Sequence, residues 1–546
     1  MTSPAEQGDP TSRLIILAEA PGRTEIRQGI PLCGPSGEIL EMGLKHNRML
    51  RTDAYILNVW PYLIRKDGAD NFFRPDGTMV WGNRSGFTDA GLEDAQPTLR
   101  RIANSSANCI LTLGQQAMAL ATGREHQVTK WRGSIQQGLD RVQKRKVVGT
   151  LHPSFILRGN YLSRYTVFAD MRRAWEEAQD PTLRLPQREL AIRPTLTEVV
   201  DMVEMCRRQG IVATDLEVIN QQVACFSLSY HPSYAMTIPL IAEDGSAYWS
   251  LEEEVAVWEA YAELMGDPTV TKVNQNLIGF DAPFLMMQNK IRTRGRMEDT
   301  MIAQHVMYPE FPKGLDYIAS IHTREPYWKD EGKIWKNAGG DWPQFWRYCG
   351  KDAAVTLEAW QQSLEPMLDR EGFRETYEMT VTLADPLIYM SVAGLRVDKE
   401  RLEEAREAVT LELEAKKEEL RSVAEWDFNP NSSAQCMKYF YQTKGIPAYI
   451  SIKTGHATAD DKAMARIYRR YNLREAKLVQ EIRALNKLKG TYIEVAVDPD
   501  GRLRSSWNAR GTWTGRLSSS QTINGTGMNL QNLHPMFKGF IVADPD

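Results

Sequence analysis

The stretch Gly210-Ile-Val-Ala-Thr-Asp215-Leu-Glu217-Val218 decides the reading of this chain. It is an apolar, β-branched run that leaves a glycine and carries two acids two residues apart. A strand has a side-chain period of two, so Asp215 and Glu217 share one face of a sheet. Adjacent carboxylates repel and raise each other's pKa unless a cation neutralises them. Oxygen-rich clusters of this kind suit Mg²⁺ or Mn²⁺. A solvent-facing strand end looks the same, so the surroundings decide between the two.

Toward the N-terminus, Thr195-Leu-Thr-Glu198 is a capping-box pattern ahead of an amphipathic helix that ends near Gly210. Toward the C-terminus, Val223 to Leu228 and Tyr234 to Leu240 join residues 211–214 as three strands of an antiparallel meander, and helical patterns dominate to about Leu368. Two further acids lie in this region. Asn276-Leu-Ile-Gly-Phe280-Asp281 ends in an acid at a helix start, where Asp is also an ordinary N-cap. Tyr348-Cys-Gly-Lys-Asp352 places a tyrosine and an acid four apart on one helical face. Asp299 and Asp316 fall between these motifs and are assigned no chemistry.

The ordered triple D-x-E, N-x₃-F-D and Y-x₃-D resembles the three motifs of the tyrosine-bearing DEDD exonucleases. The resemblance covers about 195–368 and implies a ribonuclease-H-like fold with 3′–5′ exonuclease activity. It implies that Asp215, Glu217, Asp281 and Asp352 hold two divalent ions, Mg²⁺ or Mn²⁺, about 4 Å apart. One ion would acidify the attacking water and the other would stabilise the leaving 3′ oxygen. Tyr348 would orient that water, Asn276 would position the strand, and a nucleoside monophosphate would leave a 3′ end.

Residues 369–546 read differently. Residues 400–424 form a long amphipathic pattern rich in Glu and Lys, and 459–488 are helical and basic. Leu383-Ala-Asp-Pro-Leu387 to Gly394-Leu-Arg-Val397-Asp398, Asn429-Pro430-Asn-Ser432, Thr454-Gly455 and Leu485 to Tyr492 resemble landmarks of the family A DNA polymerase thumb. Thr514-Gly515-Arg516-Leu517-Ser518-Ser519 and Asn529-Leu530-Gln531-Asn532 resemble segments that touch the primer–template duplex in that family. The resemblance therefore implies DNA contacts from Arg516, Ser518, Ser519, Asn529, Gln531 and Asn532, of the phosphate and sugar type. The basic run Arg466, Arg469, Arg470, Arg474, Lys477, Arg483, Lys487 and Lys489 either tracks a nucleic-acid backbone or is a solvated helix face. The family's catalytic palm acids are expected beyond Asp546. The reading is thus a chain that does not polymerise alone, either a fragment lacking its C-terminal portion or a subunit with a separate palm–fingers partner.

Residues 1–180 alternate short β-like runs (14–17, 55–57, 110–113, 147–148) with helical stretches, an α/β pattern. A proline-bearing linker follows at 181–194. Glu19-Ala-Pro21-Gly22, Glu25, Asn58, Leu113-Gly114 and His152-Pro153-Ser154 resemble, in order, the motifs of iron–sulfur-type uracil-DNA glycosylases. The resemblance makes Glu19, Glu25, Asn58 and His152 candidates for a base-holding pocket. The chain departs from that family in lacking its four cluster cysteines, in Leu32 where an aromatic stacks, and in Ala18 where a glycine stands. DNA docking or protein docking is the competing role.

Composition bounds these readings. The six cysteines, Cys33, Cys109, Cys206, Cys225, Cys349 and Cys436, form no CxxC pair, which argues against disulfides and structural zinc. A net charge of −4 confines nucleic-acid binding to local patches. No apolar run has the length of a membrane span and the N-terminus has no signal core, so a cytoplasmic protein without a membrane partner is expected, in a host cell if viral. The fold class expected is multidomain α/β: a three-layer glycosylase-like domain, a ribonuclease-H-like exonuclease domain, and a mostly helical thumb with the start of a palm. The function expected is proofreading 3′–5′ hydrolysis within a phage-like family A replication protein that binds primer–template and single-stranded DNA. The alternatives are a uracil-DNA glycosylase repair protein and a non-catalytic DNA-binding scaffold.

Overall fold

The computed structural model describes residues 6–67, 70–332, 340–522 and 524–544. The extreme ends of the expected first and last domains, 1–5 and 545–546, lie outside the described residues. Packing divides the chain into two compact units, Met1–Leu277 with Ile291–Val381, and Ile278–Lys290 with Thr382–Asp546.

The first unit opens with β1 (Glu6–Gln7), β2 (Leu14–Ala18) and β3 (Ala54–Asn58). A small antiparallel sheet follows, β4 (Arg65–Lys66), β5 (Phe72–Phe73), β6 (Met79–Gly82) and β7 (Gly86–Phe87). Then come β8 (Cys109–Leu113), β9 (Ile135–Gln137) and β10 (Lys146–Thr150). The main sheet has the order β1-β3-β2-β8-β10-β9. Its four inner strands run parallel, and the edges β1 and β9 run antiparallel. Parallel strands buried on both faces are apolar at every position, and β2 is Leu-Ile-Ile-Leu-Ala with all five residues buried. Leu14, Ile16 and Ala18 feed one core, with Leu40, Phe168 and Met171. Ile15 and Leu17 feed the opposite one, with Trp60, Leu99 and Leu120. These two cores make the three-layer α/β block.

The second sheet contains β11 (Glu189–Ala191), β12 (Ile211–Ile219), β13 (Gln222–His231), β14 (Tyr234–Pro239), β15 (Thr271–Asn274) and β16 (Met297–Asp299), in the order β11-β14-β13-β12-β15-β16. The meander β12-β13-β14 is antiparallel as expected. The helix before it, Leu196–Gln209, carries the full capping box at Thr195 and Glu198 and ends at Gly210 in the left-handed region. The structure adds detail at two places. Helices dominate residues 241–368 as expected, and two short strands, β15 and β16, extend the sheet in parallel beyond β12. Residues 181–194 are not a free tether. Leu183 and Leu185 pack on the first core, and β11 pairs in parallel with β14.

The second unit is mainly helical. Helix Lys399–Ala424 replaces the expected 400–424, and Leu413 and Leu420 on it share a core with Leu478, Val479 and Ile482 of helix Arg474–Leu488. The basic stretch 459–488 is two helices, not one, since Asn472 adopts the left-handed conformation (φ 53°) and separates Asp461–Tyr471 from Arg474–Leu488. Two small ribbons follow, Leu395–Arg396 with Arg502–Leu503, and Ser506–Asn508 with Ser518–Ser520.

A buried ion pair of the N-terminal block reaches helix Leu315–His322 of the same unit. Arg132 meets Asp170 at 2.5 and 2.9 Å and reaches the Ser320 hydroxyl at 2.8 Å, while Thr150 donates to Asp170 at 2.7 Å. Asp170→Asn is expected to cost about 3–5 kcal/mol in denaturant unfolding, because a buried guanidinium loses its counter-charge. A cost below about 1 kcal/mol contradicts that account.

His322 lies between the Ser363 hydroxyl (2.8 Å) and Gln304 Oε1 (3.1 Å). Burial, reinforced by Arg173 and Arg172, pushes its pKa from 6.5 down to about 3. It therefore folds neutral and must be protonated in the unfolded chain as pH falls below about 6.5. Its contribution to stability is full above that value and is lost progressively toward pH 3. Between pH 7 and about pH 5, His322→Gln is expected to lose about 2 kcal/mol less stability than the parent in urea titrations. Equal slopes in the two proteins refute this.

Candidate active site

The cluster begins on β12. Its ladder with β13 pairs Asp215 with Ser227 and Glu217 with Cys225, and the register shifts just after Glu217. Asp215 and Glu217 therefore stand on one face, as period two requires. The third acid arrives from helix Trp342–Ala359, which starts on an Asp341 cap with Pro343 in its first turn. This helix lies close on the meander. Ser227 donates to the Cys349 carbonyl at 2.9 Å and Thr237 to the Trp346 carbonyl at 2.7 Å. A Cβ on Gly350 would come 2.8 Å from Thr237 Oγ1, so a residue without one permits that approach.

The result gathers Asp215, Glu217 and Asp352, whose carboxylate oxygens lie within 4.8 Å of one another. Asp352 is 3% exposed and Glu217 9%, while Asp215 is half-buried. Three acids this close together and largely buried form a strongly negative pocket, and the donor set fits a hard divalent cation. Tyr348, one turn before Asp352, has its phenol pushed far above the usual range by burial, then by Asp352, Glu217 and Asp215. It keeps its proton and can donate a hydrogen bond. The thiols of Cys225 and Cys349 are likewise raised, mainly by burial, and stay neutral.

Two residues beside the cluster carry no motif and were not expected there. Trp328 donates from Nε1 to Asp352 Oδ1 at 2.6 Å. Lys329 donates to Tyr348 at 3.1 Å and forms an ion pair with Asp352 Oδ2. Burial opposes the lysine's charge, but Asp352, Asp215 and Glu217 offset it and hold its pKa above the ordinary value.

Of the other expected residues, Asp281 starts the short helix Asp281–Phe284 in the segment 278–290 of the second unit and is described with that unit. Asn276 holds the left-handed conformation (φ 75°), which Asn tolerates better than most residues, and its N–H donates to Asp299 at 3.3 Å. Asp299 caps helix Thr300–Met307, a structural task.

In the second unit, Ser519 donates to Asn529 Oδ1 and accepts from the Leu530 N–H, both at 3.0 Å. Asn529 caps a short turn through the Gln531 N–H, and Gln531 donates to the Leu517 carbonyl at 2.8 Å. These three side chains knit the loop together. Arg516 and Asn532 are exposed, and Ser518 is half-buried. The basic run divides: Arg474 pairs with Glu419 and Glu481, and Arg483 with Asp461 and two carbonyls. Arg466, Arg469, Arg470 and Lys487 remain exposed.

In the N-terminal block, Glu19 follows β2, Asn58 ends β3, Gly114 follows β8, and His152 lies just past β10. All stand at the carboxyl ends of the parallel strands, where the order switches between β2 and β8 and such sheets bind ligands. Asn58 is 1% exposed, and burial lowers the His152 pKa while Glu19 opposes that shift. Glu19 pairs with Lys66 at 2.7 Å. Glu25 braces the loop: it is buried and accepts the Gly34 N–H at 3.2 Å, and a Cβ on Gly22 would come 2.5 Å from its Oε2.

The fold and these sites define a multidomain α/β protein with a glycosylase-like block and a polymerase-like block. Residues 5–179 match the uracil DNA glycosylase superfamily, and residues 399–538 match DNA polymerase family A. DNA polymerase I of Geobacillus stearothermophilus is 26% identical over 58% of this chain and 37% of its own length. The DNA polymerase of Escherichia phage T5 is 29% identical over 37% of this chain and 25% of its own. The chain thus spans between a quarter and two fifths of the length of these polymerases, 25% and 37%. A match over 58% of the chain extends upstream of residue 399, because the residues from there on make up a smaller share. The POL domain of Pol1 from M. smegmatis, solved in complex with DNA primer-template and dNTP, aligns with a TM-score of 0.49 and 19% identity, over 64% of this chain and 56% of that one. Among the described residues, no helix is long and apolar enough to cross a membrane.

Proposed function

We propose that this chain acts in DNA replication as a family A-type polymerase protein with a 3′–5′ exonuclease, and that Asp215, Glu217 and Asp352 form the hydrolytic centre. One observation carries the reading: three carboxylates from a strand and a crossing helix converge within 4.8 Å, one helical turn from a protonated tyrosine. Two Mg²⁺ or Mn²⁺ ions bound there would supply an acidified water and charge neutralisation for the leaving 3′ oxygen. The chain's own contribution is geometric and electrostatic. β12 and helix Trp342–Ala359 hold the acids in register. Tyr348 keeps its proton and donates to an oxygen of the scissile phosphate or of the attacking water. The second unit, through Arg516, Ser518, Asn532 and the exposed Arg466, Arg469, Arg470 and Lys487, holds the primer–template backbone.

The test is degradation of a 5′-labelled primer–template with Mg²⁺ or Mn²⁺. The parent is expected to shorten the primer one nucleotide at a time from its 3′ end. Asp215→Ala/Glu217→Ala should lower that rate about a thousandfold or more, the equivalent of about 4 kcal/mol at the transition state. A folded, DNA-binding parent with no metal-dependent degradation contradicts the proposal.

A second reading concerns the N-terminal block. Glu19, Asn58 and His152 at the carboxyl edge of the parallel sheet favour a pocket for an extruded base, and we infer that it recognises uracil in DNA. Single-stranded oligonucleotides with one uracil should bind the parent more tightly than thymine controls in EDTA, and Asn58→Ala should abolish the difference. Equal binding of the two oligonucleotides removes this reading.

A further inference from the structure

Asp352 uses both carboxylate oxygens within the protein. Trp328 Nε1 takes Oδ1 at 2.6 Å, and the Lys329 ammonium takes Oδ2 and also reaches Tyr348 Oη at 3.1 Å. Trp328 is 3% exposed and packs with Leu315, Ala319 and Val355. Both residues belong to a short strap whose flanks are fixed by the N-terminal block. The Tyr327 N–H donates to Ser134 Oγ at 3.1 Å, the Tyr327 ring meets Trp131 edge-on at 5.5 Å, and Lys130 pairs with Asp330 at 2.8 Å. Tyr327 donates in turn to Asp330 at 3.1 Å.

A lysine ammonium has three donors and no acceptor. That of Lys329 donates to Tyr348 Oη, while the phenol itself lies within hydrogen-bonding reach of Asp352. Lys329, Tyr348 and Asp352, the last two one turn apart on the same helix, thus form a closed triad in which the lysine touches both partners. Without the lysine, the phenol and the carboxylate lose the donor they share, and neither is held in one orientation. The same ammonium sits on a carboxylate that a divalent cation would also need, so it lowers the cluster's affinity for that cation.

We propose that Lys329 is a positioning residue for the carboxylate–tyrosine pair, fixing the Tyr348 hydroxyl beside Asp352 while competing with divalent cations for Asp352, and that the N-terminal block holds it there through the 327–330 strap. This rests on the exonuclease reading of the same cluster. It makes the glycosylase-like block part of the exonuclease architecture rather than a neighbour.

The role predicts opposite movements in two measurements. For Lys329→Met in the full chain, Mn²⁺ titrations followed by electron paramagnetic resonance should show binding about tenfold tighter than in the parent. Single-turnover 3′ degradation at saturating Mn²⁺ should be about tenfold slower, with KM for the oligonucleotide unchanged. Lys329→Arg should keep Mn²⁺ affinity within about twofold of the parent. Lys130→Gln and Ser134→Ala should tighten Mn²⁺ binding in the same direction by a smaller factor. Lys329→Met with unchanged or weaker Mn²⁺ binding overturns the proposal, since loss of a merely structural lysine would weaken both binding and turnover. Unchanged affinity in both Lys130→Gln and Ser134→Ala overturns the part played by the N-terminal block. If the parent degrades DNA and binds Mn²⁺ but Lys329→Met is indistinguishable from it, only this inference fails. If neither protein binds Mn²⁺ nor degrades DNA, the exonuclease reading fails with it.

Discussion

Like-charge repulsion among Asp215, Glu217 and Asp352 is the constraint on which the rest of the first unit depends. Carboxylate oxygens within 4.8 Å of one another, on residues that are mostly buried, repel strongly unless a positive charge lies beside them. The fold meets this from two directions. It makes the scaffold stiff, with β12 laddered on both sides and a helix held against the meander by Ser227 and Thr237. It also brings a cation of its own, Lys329, to the acid that is most deeply buried. A stiff, negative pocket with one internal positive charge is suited to binding and releasing further cations. A purely structural salt bridge would need only one acid per base.

Much of this was legible in the residues and some was not, and the difference follows from range. The helix Leu196–Gln209 was readable to the residue because a capping box and a C-terminal glycine are local devices, complete within a few positions. The shared face of Asp215 and Glu217 was readable because strand periodicity is local too. β15 and β16 were missed because four- and three-residue strands are too short to show a period, and parallel pairing is imposed by distant partners. Trp328 and Lys329 were invisible for the same reason: they reach Asp352 from an irregular segment, so no spacing rule marks them.

The second unit teaches a related lesson about charge. Eight basic residues between 466 and 489 read as one electropositive face when the helix is taken as continuous. Asn472 in the left-handed conformation breaks that helix, and acids from helix Lys399–Ala424 and from within the run neutralise part of the charge. Similarly, Ser519, Asn529 and Gln531 resemble DNA-contacting positions by motif, yet their side chains bond to each other and to neighbouring backbone. A sequence motif reports what a residue type is suited to do, and a hydrogen-bonding side chain is equally suited to ordering its own loop. Among the described residues, Arg516 has no such internal acceptor to explain its place in an exposed turn, which leaves it the strongest of the motif's DNA-facing candidates.

The N-terminal block departs from its family resemblance in ways that make physical sense together. Leu32, at the position of an expected aromatic, is buried and takes a left-handed backbone (φ 49°), a conformation that disfavours a large side chain. A Cβ on Gly37 would fall 1.8 Å from the Leu32 carbonyl oxygen, so the helix that follows depends on that tight turn. Glu25 braces this loop from within by accepting the Gly34 N–H. Meanwhile the same block contributes Lys130, Trp131, Arg132 and Ser134 to contacts with Ser320, Tyr327 and Asp330. Buried polar contacts such as Arg132 to Ser320 do not form by accident between freely tethered domains, since each must offset desolvation with good geometry. A glycosylase-like fold whose pocket has altered but whose docking face is this well satisfied is acting, at least in part, as a structural element of the unit that holds the carboxylate cluster.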